Sequence, residues 1–278
     1  MKTTPLTDDF GVEVSDIDLR EPISDDQARE LHRLFSENHL LVVRGQDLDE
    51  HQQVDFAGTV GTPRKNRDGT SHAWISNARE DGLAGGARLL FHSDAAFKST
   101  PVAGISLYGV ELDDESSPTV FASSVDAWDR LDDDLRATVA DLEVEHVIDL
   151  HSDDFHRTRS SEIDWETADS ARYRRATHPL GLYDAASDRT CLFVNEQQSS
   201  HVIGMEEKAS DELFARLFEV LYDESRMYTH QWQIGDLIVW NNVALQHGRP
   251  AQQRNASART LRRVVLTETF AADQQRAS

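Results

Sequence analysis

The sequence has almost no cysteine and no long apolar segment. Cys191 is the only cysteine among 278 residues, which excludes an intramolecular disulfide and a thiolate metal cluster. No run of about 18 apolar residues, the length needed for a membrane-spanning helix, occurs. The N-terminal residues lack the apolar core of a signal peptide. We therefore expect a cytoplasmic protein in a reducing compartment, with no membrane partner.

Basic residues are also scarce. The chain has 28 Lys and Arg against 50 Asp and Glu, a formal net charge of −22. Such a chain repels a phosphate backbone, so a nucleic-acid partner is not expected. The acid excess itself is explained by solubility or by a salty cytoplasm. With 38% hydrophobic residues the chain can build a hydrophobic core, which excludes a wholly disordered protein. Its length predicts a single domain over 1–278.

Hydrophobic periodicity predicts a mainly β fold with flanking helices. One helix begins after Ser24, which has capping-box spacing to Gln27. Many short strands with few helices favour a barrel or sandwich over alternating βαβ units. The polar stretch 151–175 is predicted to be a lid or surface insertion. Predicted helices cover 24–38, 49–60, 132–142 and 206–222, and predicted strands cover 40–43, 102–110, 119–122, 144–148, 178–182, 191–195, 237–240 and 259–267.

A histidine and an aspartate stand two residues apart in the segment 91–94 (FHSD). Alternate side chains of an extended segment lie on one face, so His92 and Asp94 can bind the same metal ion. This spacing alone is a weak indicator, because His151 and Asp153 repeat it elsewhere in the chain.

A distant second histidine strengthens the metal hypothesis. His247 follows the apolar strand that ends near Trp240, and barrel enzymes often place ligands at strand ends. Two histidines and one carboxylate leave three positions open on a metal ion, as in the facial triad of non-haem Fe(II) oxygenases. A closed zinc site would need four ligands, usually with cysteine, and is disfavoured.

Arginines are concentrated where Asp and Glu are missing. The segment 249–263 contains Arg249, Arg254, Arg259, Arg262 and Arg263, and this local reversal of charge predicts an anion site. On a strand, Arg259 and Arg263 share one face and Arg262 takes the other. We expect the first two to bind carboxylates and Arg262 to lie on a solvated edge strand.

A series of short segments follows one known order along most of the chain. Each segment is unspecific by itself, but the ordered set is specific. The segments are 11–14 (GVEV), 16–19 (DIDL), 41–46 (LVVRGQ), 91–94 (FHSD), 177–179 (THP), 192–196 (LFVNE), 235–237 (GDL), 240–242 (WNN), 246–247 (QH) and the paired arginines. Over roughly 11–268 the chain resembles the taurine/2,4-dichlorophenoxyacetate dioxygenase (TauD/TfdA) family of Fe(II)- and 2-oxoglutarate-dependent oxygenases.

The resemblance implies a double-stranded β-helix (jelly-roll) fold and an oxidoreductase that uses Fe(II), 2-oxoglutarate and O2. It carries over His92, Asp94 and His247 as the iron ligands. Arg259 matches the arginine that pairs with the distal carboxylate of 2-oxoglutarate, and Thr119 sits where a threonine often touches this cosubstrate. In members acting on sulfonates or carboxylates, the position of Arg263 can hold the anionic group of the substrate. Members are often homo-oligomers.

The chain departs from the family pattern at several positions. Residues 62–67 (TPRKNR) replace the histidine-bearing loop of taurine enzymes, so taurine is not the expected substrate. Phe91 replaces the common Trp before the first ligand, Asn241 replaces an Asp, and 116–119 (SSPT) replaces a Gly-Gly-Asp-Thr turn. The ligand carboxylate Asp94 is retained, which disfavours a halogenase.

Two further side chains and three functions remain open at this point. Asn195 ends a predicted strand in a matched segment and is expected to line the substrate pocket or to cap a turn, and His178 is expected to be structural. The leading function is a dioxygenase that hydroxylates a small organic substrate, including one with a carboxylate or sulfonate group, and releases succinate and CO2. The alternatives are a natural-product tailoring oxygenase without an acid anchor and a non-catalytic jelly-roll binding protein.

Overall fold

The structure is a computed structural model that describes residues 1–84, 88–113, 115–152, 156–249 and 258–270. Asp153 and Arg254 lie outside the described residues. The helices are α1 (Asp25–Asn38), α2 (Glu50–Ala57), α3 (Ser124–Arg130), α4 (Asp133–Val139) and α5 (Glu207–Leu221). The strands are β1 (Lys2–Pro5), β2 (Val12–Ser15), β3 (Leu40–Val43), β4 (Gly61–Pro63), β5 (His72–Ser76), β6 (Leu83–Ala84), β7 (Leu89–His92), β8 (Gly104–Leu112), β9 (Thr119–Ser123), β10 (Glu143–Asp149), β11 (Tyr173–Pro179), β12 (Gly181–Asp184), β13 (Arg189–Leu192), β14 (Ser199–Val202), β15 (Tyr228–His230), β16 (Leu237–Asn241), β17 (Leu245–Arg249) and β18 (Arg259–Thr269).

Two sheets form the centre of the molecule. The larger has the strand order β1-β2-β3-β16-β8-β18-β5-β6, with β4 also paired to β18, and the smaller has the order β15-β9-β17-β7. Nearly all pairs are antiparallel, the exceptions among the described strands being β2 with β3 and β5 with β6. This mainly β architecture with helices outside confirms the predicted fold, a jelly-roll core with flanking helices.

Apolar side chains fill the space between the two sheets and cover the outer face of the larger one. Phe121, Trp240 and Leu261 belong to the cluster between the sheets. On the outer face, α1 and α2 pack through Phe35 and Phe56, both fully buried. Apolar packing therefore holds the two sheets and the outer helices together.

The first helix forms as the sequence predicts. The Ser24 hydroxyl accepts a hydrogen bond from the Gln27 backbone N–H, and the Gln27 side chain accepts one from the Ser24 N–H, which completes a capping box. Leu31, Leu34 and Phe35 are buried at helical spacing. His39 ends the helix in the left-handed region with φ 63°, and the chain then enters β3.

The prediction for Arg262 was wrong. It lies on β18, an interior strand between β8 and β5, and it is only 7% exposed. Its guanidinium donates hydrogen bonds to Gln53 Oε1 at 2.7 Å and to the carbonyl oxygens of Leu48 and Asp49 at 2.8 Å each. The face of β18 opposite the cavity is covered by α2 rather than by solvent, and burial lowers the pKa of Arg262.

Two other stretches differ in detail from the expectation. The predicted helix 132–142 is shorter, and a separate helix, α3, precedes it. The described part of 151–175 is irregular apart from one short 3-10 turn and the start of β11. Arg157 and Arg159 form ion pairs that join this segment to Asp211 on α5, with N–O distances of 2.8 and 2.9 Å. The role of the segment as a lid stays a prediction.

No helix among the described residues has the length and apolarity to cross a membrane.

Candidate metal centre and cavity

The two histidines singled out in the sequence face each other on neighbouring strands. His92 ends β7, His247 lies within β17, and the two residues are direct partners in the register of this antiparallel pair. Their ring centroids are 4.3 Å apart. Cross-strand partners project on the same face of a sheet, so the fold brings together two imidazoles that are far apart in the chain.

Asp94 is positioned by an asparagine from the other sheet. Asn242, just after β16, accepts a hydrogen bond from the Asp94 N–H at 2.9 Å and donates to the carbonyl oxygens of Asp94 and Val102 at 3.1 and 2.7 Å. Asp94 Oδ1 then lies 3.3 Å from His92 Nε2 and 3.9 Å from His247 Nε2. The candidate ligand atoms of the three residues are within 4.8 Å of one another.

The protonation states of these side chains suit a divalent metal ion. His92 Nδ1 lies 2.8 Å from the Leu90 carbonyl oxygen and is engaged by it, which leaves Nε2 as the ring nitrogen that can bind a metal ion. Burial, helped by the neighbouring His92, lowers the pKa of His247 to about 3 and keeps it neutral. Burial alone would raise the pKa of Asp94, but the nearby Arg263 guanidinium holds it well below its usual range. Two imidazole nitrogens and one carboxylate fit the donor set of a non-haem iron site.

The three side chains open into a cavity of about 320 Å³. Its described lining includes five cationic side chains, and Asp94 is the one carboxylate among these residues. The cations are Arg64, Lys98, Arg249, Arg259 and Arg263. In a chain with a net charge of −22, this excess of positive charge favours an anionic ligand.

Arg259 and Thr119 meet deep in the cavity. Arg259 is 4% exposed, and it donates hydrogen bonds to the Ser117 carbonyl oxygen at 3.1 Å and to Thr119 Oγ1 at 3.3 Å. Thr119 Oγ1 also accepts one from Trp232 Nε1 at 3.0 Å. Burial, with a smaller effect of Arg249, lowers the pKa of Arg259 to about 9. Burial of this guanidinium costs desolvation free energy, and binding a carboxylate beside it would offset that cost.

Arg263 lies on the same face of β18 as Arg259, as the strand parity predicts, but contacts a different group. Its Nη2 forms a hydrogen-bonded ion pair with Asp94 Oδ2, while Asp94 Oδ1 faces the imidazoles. Arg263 therefore orients the candidate ligand carboxylate, in addition to lining the cavity.

Asn195 lies behind the cavity wall and caps a turn. Its Oδ1 accepts a hydrogen bond from the Gln198 N–H at 2.7 Å, and its N–H donates to Ser199 Oγ at 2.8 Å. The residues that follow it, Gln197 and Gln198, line the cavity. A direct contact between Asn195 and substrate stays a prediction.

Sequence reasoning missed four residues of the site. Asn242, Lys98, Gln197 and Gln198 were not among its candidates, although Asn242 ends a matched segment and the two glutamines directly follow another. The position of Asn242 directly after an apolar strand was an available signal. The glutamines had none, because a polar pair in a loop is compatible with any solvated turn.

Comparison with known proteins identifies the family. The family model described as taurine catabolism dioxygenase TauD, TfdA family, matches residues 2–265. The chain belongs to the TauD/TfdA family. An α-ketoglutarate-dependent 2,4-dichlorophenoxyacetate dioxygenase from Cupriavidus pinatubonensis is 31% identical over 95% of this chain and 96% of its own length. An (S)-phenoxypropionate/α-ketoglutarate dioxygenase from Sphingobium herbicidovorans is 26% identical over 87% of each chain.

A solved structure with a similar fold agrees with this family assignment. The structure of AAD-2 in complex with Mn(II) and N-oxalylglycine matches with a TM-score of 0.80 and 25% identity, over 98% of this chain and 99% of that one. The predicted enzyme class is confirmed: the chain is a dioxygenase of a family that uses Fe(II), α-ketoglutarate (2-oxoglutarate) and O2. The alternative of a non-catalytic jelly-roll binding protein is therefore not supported.

Proposed function

We propose that this dioxygenase hydroxylates a small organic acid with an apolar body and releases succinate and CO2. The observation that carries the proposal is the cluster of five cationic side chains around the His92, Asp94 and His247 group, in a chain that is otherwise strongly acidic. An acid bound in this cavity gains from this positive charge both on approach and when bound.

We assign Fe(II) to His92, Asp94 and His247, and the distal carboxylate of 2-oxoglutarate to Arg259 and Thr119. When bound, the metal with 2-oxoglutarate and O2 supplies the oxidising chemistry of the reaction. The side chains of this protein place the reactants. His92 and His247 offer Nε2 lone pairs, and Arg259 offers a buried guanidinium whose charge an incoming carboxylate neutralises. The AAD-2 complex with Mn(II) and N-oxalylglycine supports a shared metal and oxoacid cavity.

The substrate part of the cavity combines apolar walls with a positive mouth. Leu89, Phe97 and Ile148 line the wall, and Arg64 and Lys98 line the cavity while remaining exposed. This arrangement suits a flat or aliphatic body inside and an acid group near the entrance or against a deeper guanidinium. Relatives that act on 2,4-dichlorophenoxyacetate and (S)-phenoxypropionate support a carboxylate of this kind.

Within this substrate part, we assign two roles that the sequence suggested. Arg263 contacts the acid group of the substrate from its place beside Asp94, and Asn195 acts on substrate through the turn that it caps.

The experiment is a succinate-release screen with purified, Fe(II)-loaded enzyme. It covers aryloxy acids, sulfonates, amino acids and acyl derivatives, each beside its neutral methyl ester or amide. We expect acids to be consumed with at least tenfold higher kcat/KM than their neutral partners. Consumption of neutral compounds alone would contradict the acid proposal and favour natural-product tailoring without an acid anchor.

A matched pair of variants locates the positive mouth. Arg64 and Lys65 are neighbours and both exposed, but of the two only Arg64 lines the cavity in the described structure. Arg64→Met is expected to raise the KM for the acid several-fold, because an attracting charge is lost, whereas Lys65→Met leaves it unchanged. Equal effects of the two substitutions would show that only the overall surface charge matters.

We further propose that the enzyme works in a reducing cytoplasm on small molecules, without a nucleic-acid or membrane partner, and as a homo-oligomer. Cys191, the one cysteine in the sequence, is buried, and burial raises its pKa well above the ordinary value, which suits a structural thiol. The net charge of −22 supports the absence of a nucleic-acid partner.

A further inference from the structure

The Thr119 hydroxyl accepts two hydrogen bonds where it meets Arg259 in the cavity. Trp232 Nε1 donates to Thr119 Oγ1 at 3.0 Å, and Arg259 Nη2 donates to the same oxygen at 3.3 Å. A hydroxyl group has two acceptor sites and one proton to donate. Because an N–H can only donate, both acceptor sites of Thr119 are occupied. Within the described part of the chain its hydroxyl proton has no acceptor, so this proton is left for a ligand.

Thr119 and Arg259 together present donors to the cavity. Both residues line it, and they retain 5% and 4% of their surface exposed. An anion that approaches the pair meets a charged guanidinium and a hydroxyl proton. A carboxylate accepts hydrogen bonds at both of its oxygens, so it is the complement of this pair of donors.

The Trp232 indole lies outside the described lining of the cavity and is held from two sides. It is 7% exposed and belongs to the apolar cluster between the two sheets. The His230 ring packs against it at 84°, with the ring centroids 4.6 Å apart. The turn that follows it is bonded to β8, because the Gly235 N–H donates to the Gly109 carbonyl oxygen at 2.9 Å. These contacts hold the indole N–H in place beside Thr119.

We propose that Trp232 is a positioning residue for the cosubstrate, because its N–H fixes the Thr119 hydroxyl as a donor to the distal carboxylate of 2-oxoglutarate. The inference rests on the proposed function, which assigns this carboxylate to Arg259 and Thr119. Without the indole N–H, one acceptor site of Thr119 is free. The hydroxyl can then rotate and turn a lone pair, instead of its proton, towards the carboxylate. Trp232 therefore favours an oxo acid with a distal carboxylate over one without it.

The test measures direct binding to the Mn(II)-loaded protein by calorimetric titration. The two ligands are 2-oxoglutarate and 2-oxopentanoate, which has a methyl group in place of the distal carboxylate. The variant Trp232→Phe keeps an aromatic ring and removes the N–H. We expect it to raise the Kd of 2-oxoglutarate about tenfold, the effect of one hydrogen bond to a charged group. The Kd of 2-oxopentanoate is expected to stay at its wild-type value.

A second substitution shows whether Trp232 acts through Thr119. Thr119→Val keeps the branched shape of the side chain and removes the hydroxyl, and it is expected to weaken 2-oxoglutarate binding by itself. Adding Trp232→Phe to Thr119→Val should then have no further effect, because the two residues act on one contact. Trp232→Met carries the same test if Trp232→Phe does not fold, since methionine fills irregular space in a core.

The control is Trp165→Phe, which removes an indole N–H that donates to Ser160 Oγ at 2.9 Å, outside the described lining of the cavity. It should bind both ligands as the wild-type protein does. An unchanged Kd of 2-oxoglutarate in Trp232→Phe, or an equal rise for both ligands, would overturn the inference and leave the proposed function standing. An effect of Trp232→Phe that persists beside Thr119→Val would also overturn it. If Thr119→Val bound 2-oxoglutarate as tightly as the wild-type protein, the cosubstrate assignment in the proposed function would fail as well.

Discussion

Arg263 and Arg259 lie on one face of β18, yet their guanidinium groups contact different partners. Arg263 pairs with Asp94, whereas Arg259 bonds Thr119 and a backbone carbonyl. Arg263→Met is therefore expected to weaken Mn(II) or Fe(II) binding by about 10–100-fold, the usual effect of removing the partner of a ligand side chain. Arg259→Met should leave metal affinity intact and raise the KM for 2-oxoglutarate. Metal titration and steady-state kinetics on both variants check this, and unchanged metal affinity in Arg263→Met would contradict the orienting role.

His178 connects a strand outside the two main sheets to the loop that follows Asp94. Its Nε2 lies 2.9 Å from the carbonyl oxygens of both Ala96 and Lys98, and this loop carries Phe97 and Lys98 into the cavity. His178→Leu is expected to raise the KM for substrate about tenfold with little change in the KM for 2-oxoglutarate, because the loop loses its anchor. His178→Gln retains an N–H donor and should recover part of the loss. If the KM of His178→Gln were as high as that of His178→Leu, the role of His178 would be packing rather than hydrogen bonding to the loop.

At the residue scale, the sequence predicts what chemistry requires and misses what depends on the surroundings. The His92, Asp94 and His247 group was predictable because few residue types bind iron and their segments stand in a known order. Parity correctly separated Arg262 from Arg263. It could not show that α2 covers the second face, so Arg262 was wrongly expected to be solvated. The position of Gln197 and Gln198 in the cavity wall could be seen only in the folded structure.

At the scale of elements, β18 carries Arg262 and Arg263 on opposite faces, and the two side chains have different roles. Arg262 holds the start of α2 through Gln53 and two carbonyl oxygens. We expect Arg262→Met to lower the free energy of unfolding by about 2–4 kcal/mol, because the acceptors of a charged donor are left buried and unpaired. Kinetic constants of the folded fraction should be unchanged. Urea unfolding beside Lys65→Met, which removes an exposed cation and should lose little stability, provides the comparison; a reversed order of stabilities would contradict the interior role of Arg262.

The predictability of elements follows their length and their caps. Helices α1 and α5 agree with their predictions to within about two residues, since each has a long periodic apolar face. Helix α3 was missed because it has only seven residues and its cap, Ser123, is also the last residue of β9. The strand predicted at 191–195 is instead Arg189–Leu192, since residues after it turn away to form the cavity wall.

At the scale of the whole molecule, buried neutral histidines make stability depend on pH. Burial lowers the pKa of His39 to about 4 and that of His146 to about 3, from the usual 6.5. Below pH 6.5 the unfolded chain binds protons that the folded protein excludes, so stability falls as the pH decreases from 6.5 towards 4 and 3. The expected loss is about 2 kcal/mol per histidine between pH 6.5 and pH 5.

Urea unfolding at several pH values measures this slope. His39→Asn is the informative variant, because asparagine tolerates the left-handed backbone at φ 63° and does not titrate in this range. The free energy of unfolding of this variant should fall less steeply with decreasing pH than that of the wild-type protein. The difference between the two slopes should correspond to about one proton bound on unfolding. An identical slope would show that His39 is protonated in the folded state.

The fold of the whole chain was predictable through its resemblance to the TauD/TfdA family, while periodicity alone gave only a barrel or sandwich with helices outside. Long-range pairing explains the gap. Strands β3, β16, β8 and β18 are neighbours in one sheet although they come from both halves of the chain, and no local pattern specifies such an order.

Because His92 and His247 are direct partners across β7 and β17, metal binding depends on the correct register of these two strands. A slip of one residue between β7 and β17 would turn one imidazole to the opposite side of the sheet and abolish the chelate. A misaligned molecule could keep its helices and most of its ladders, and circular dichroism would not distinguish it. Stoichiometric loading with ferrous or manganous ion would count only the molecules whose barrel has closed in the native alignment.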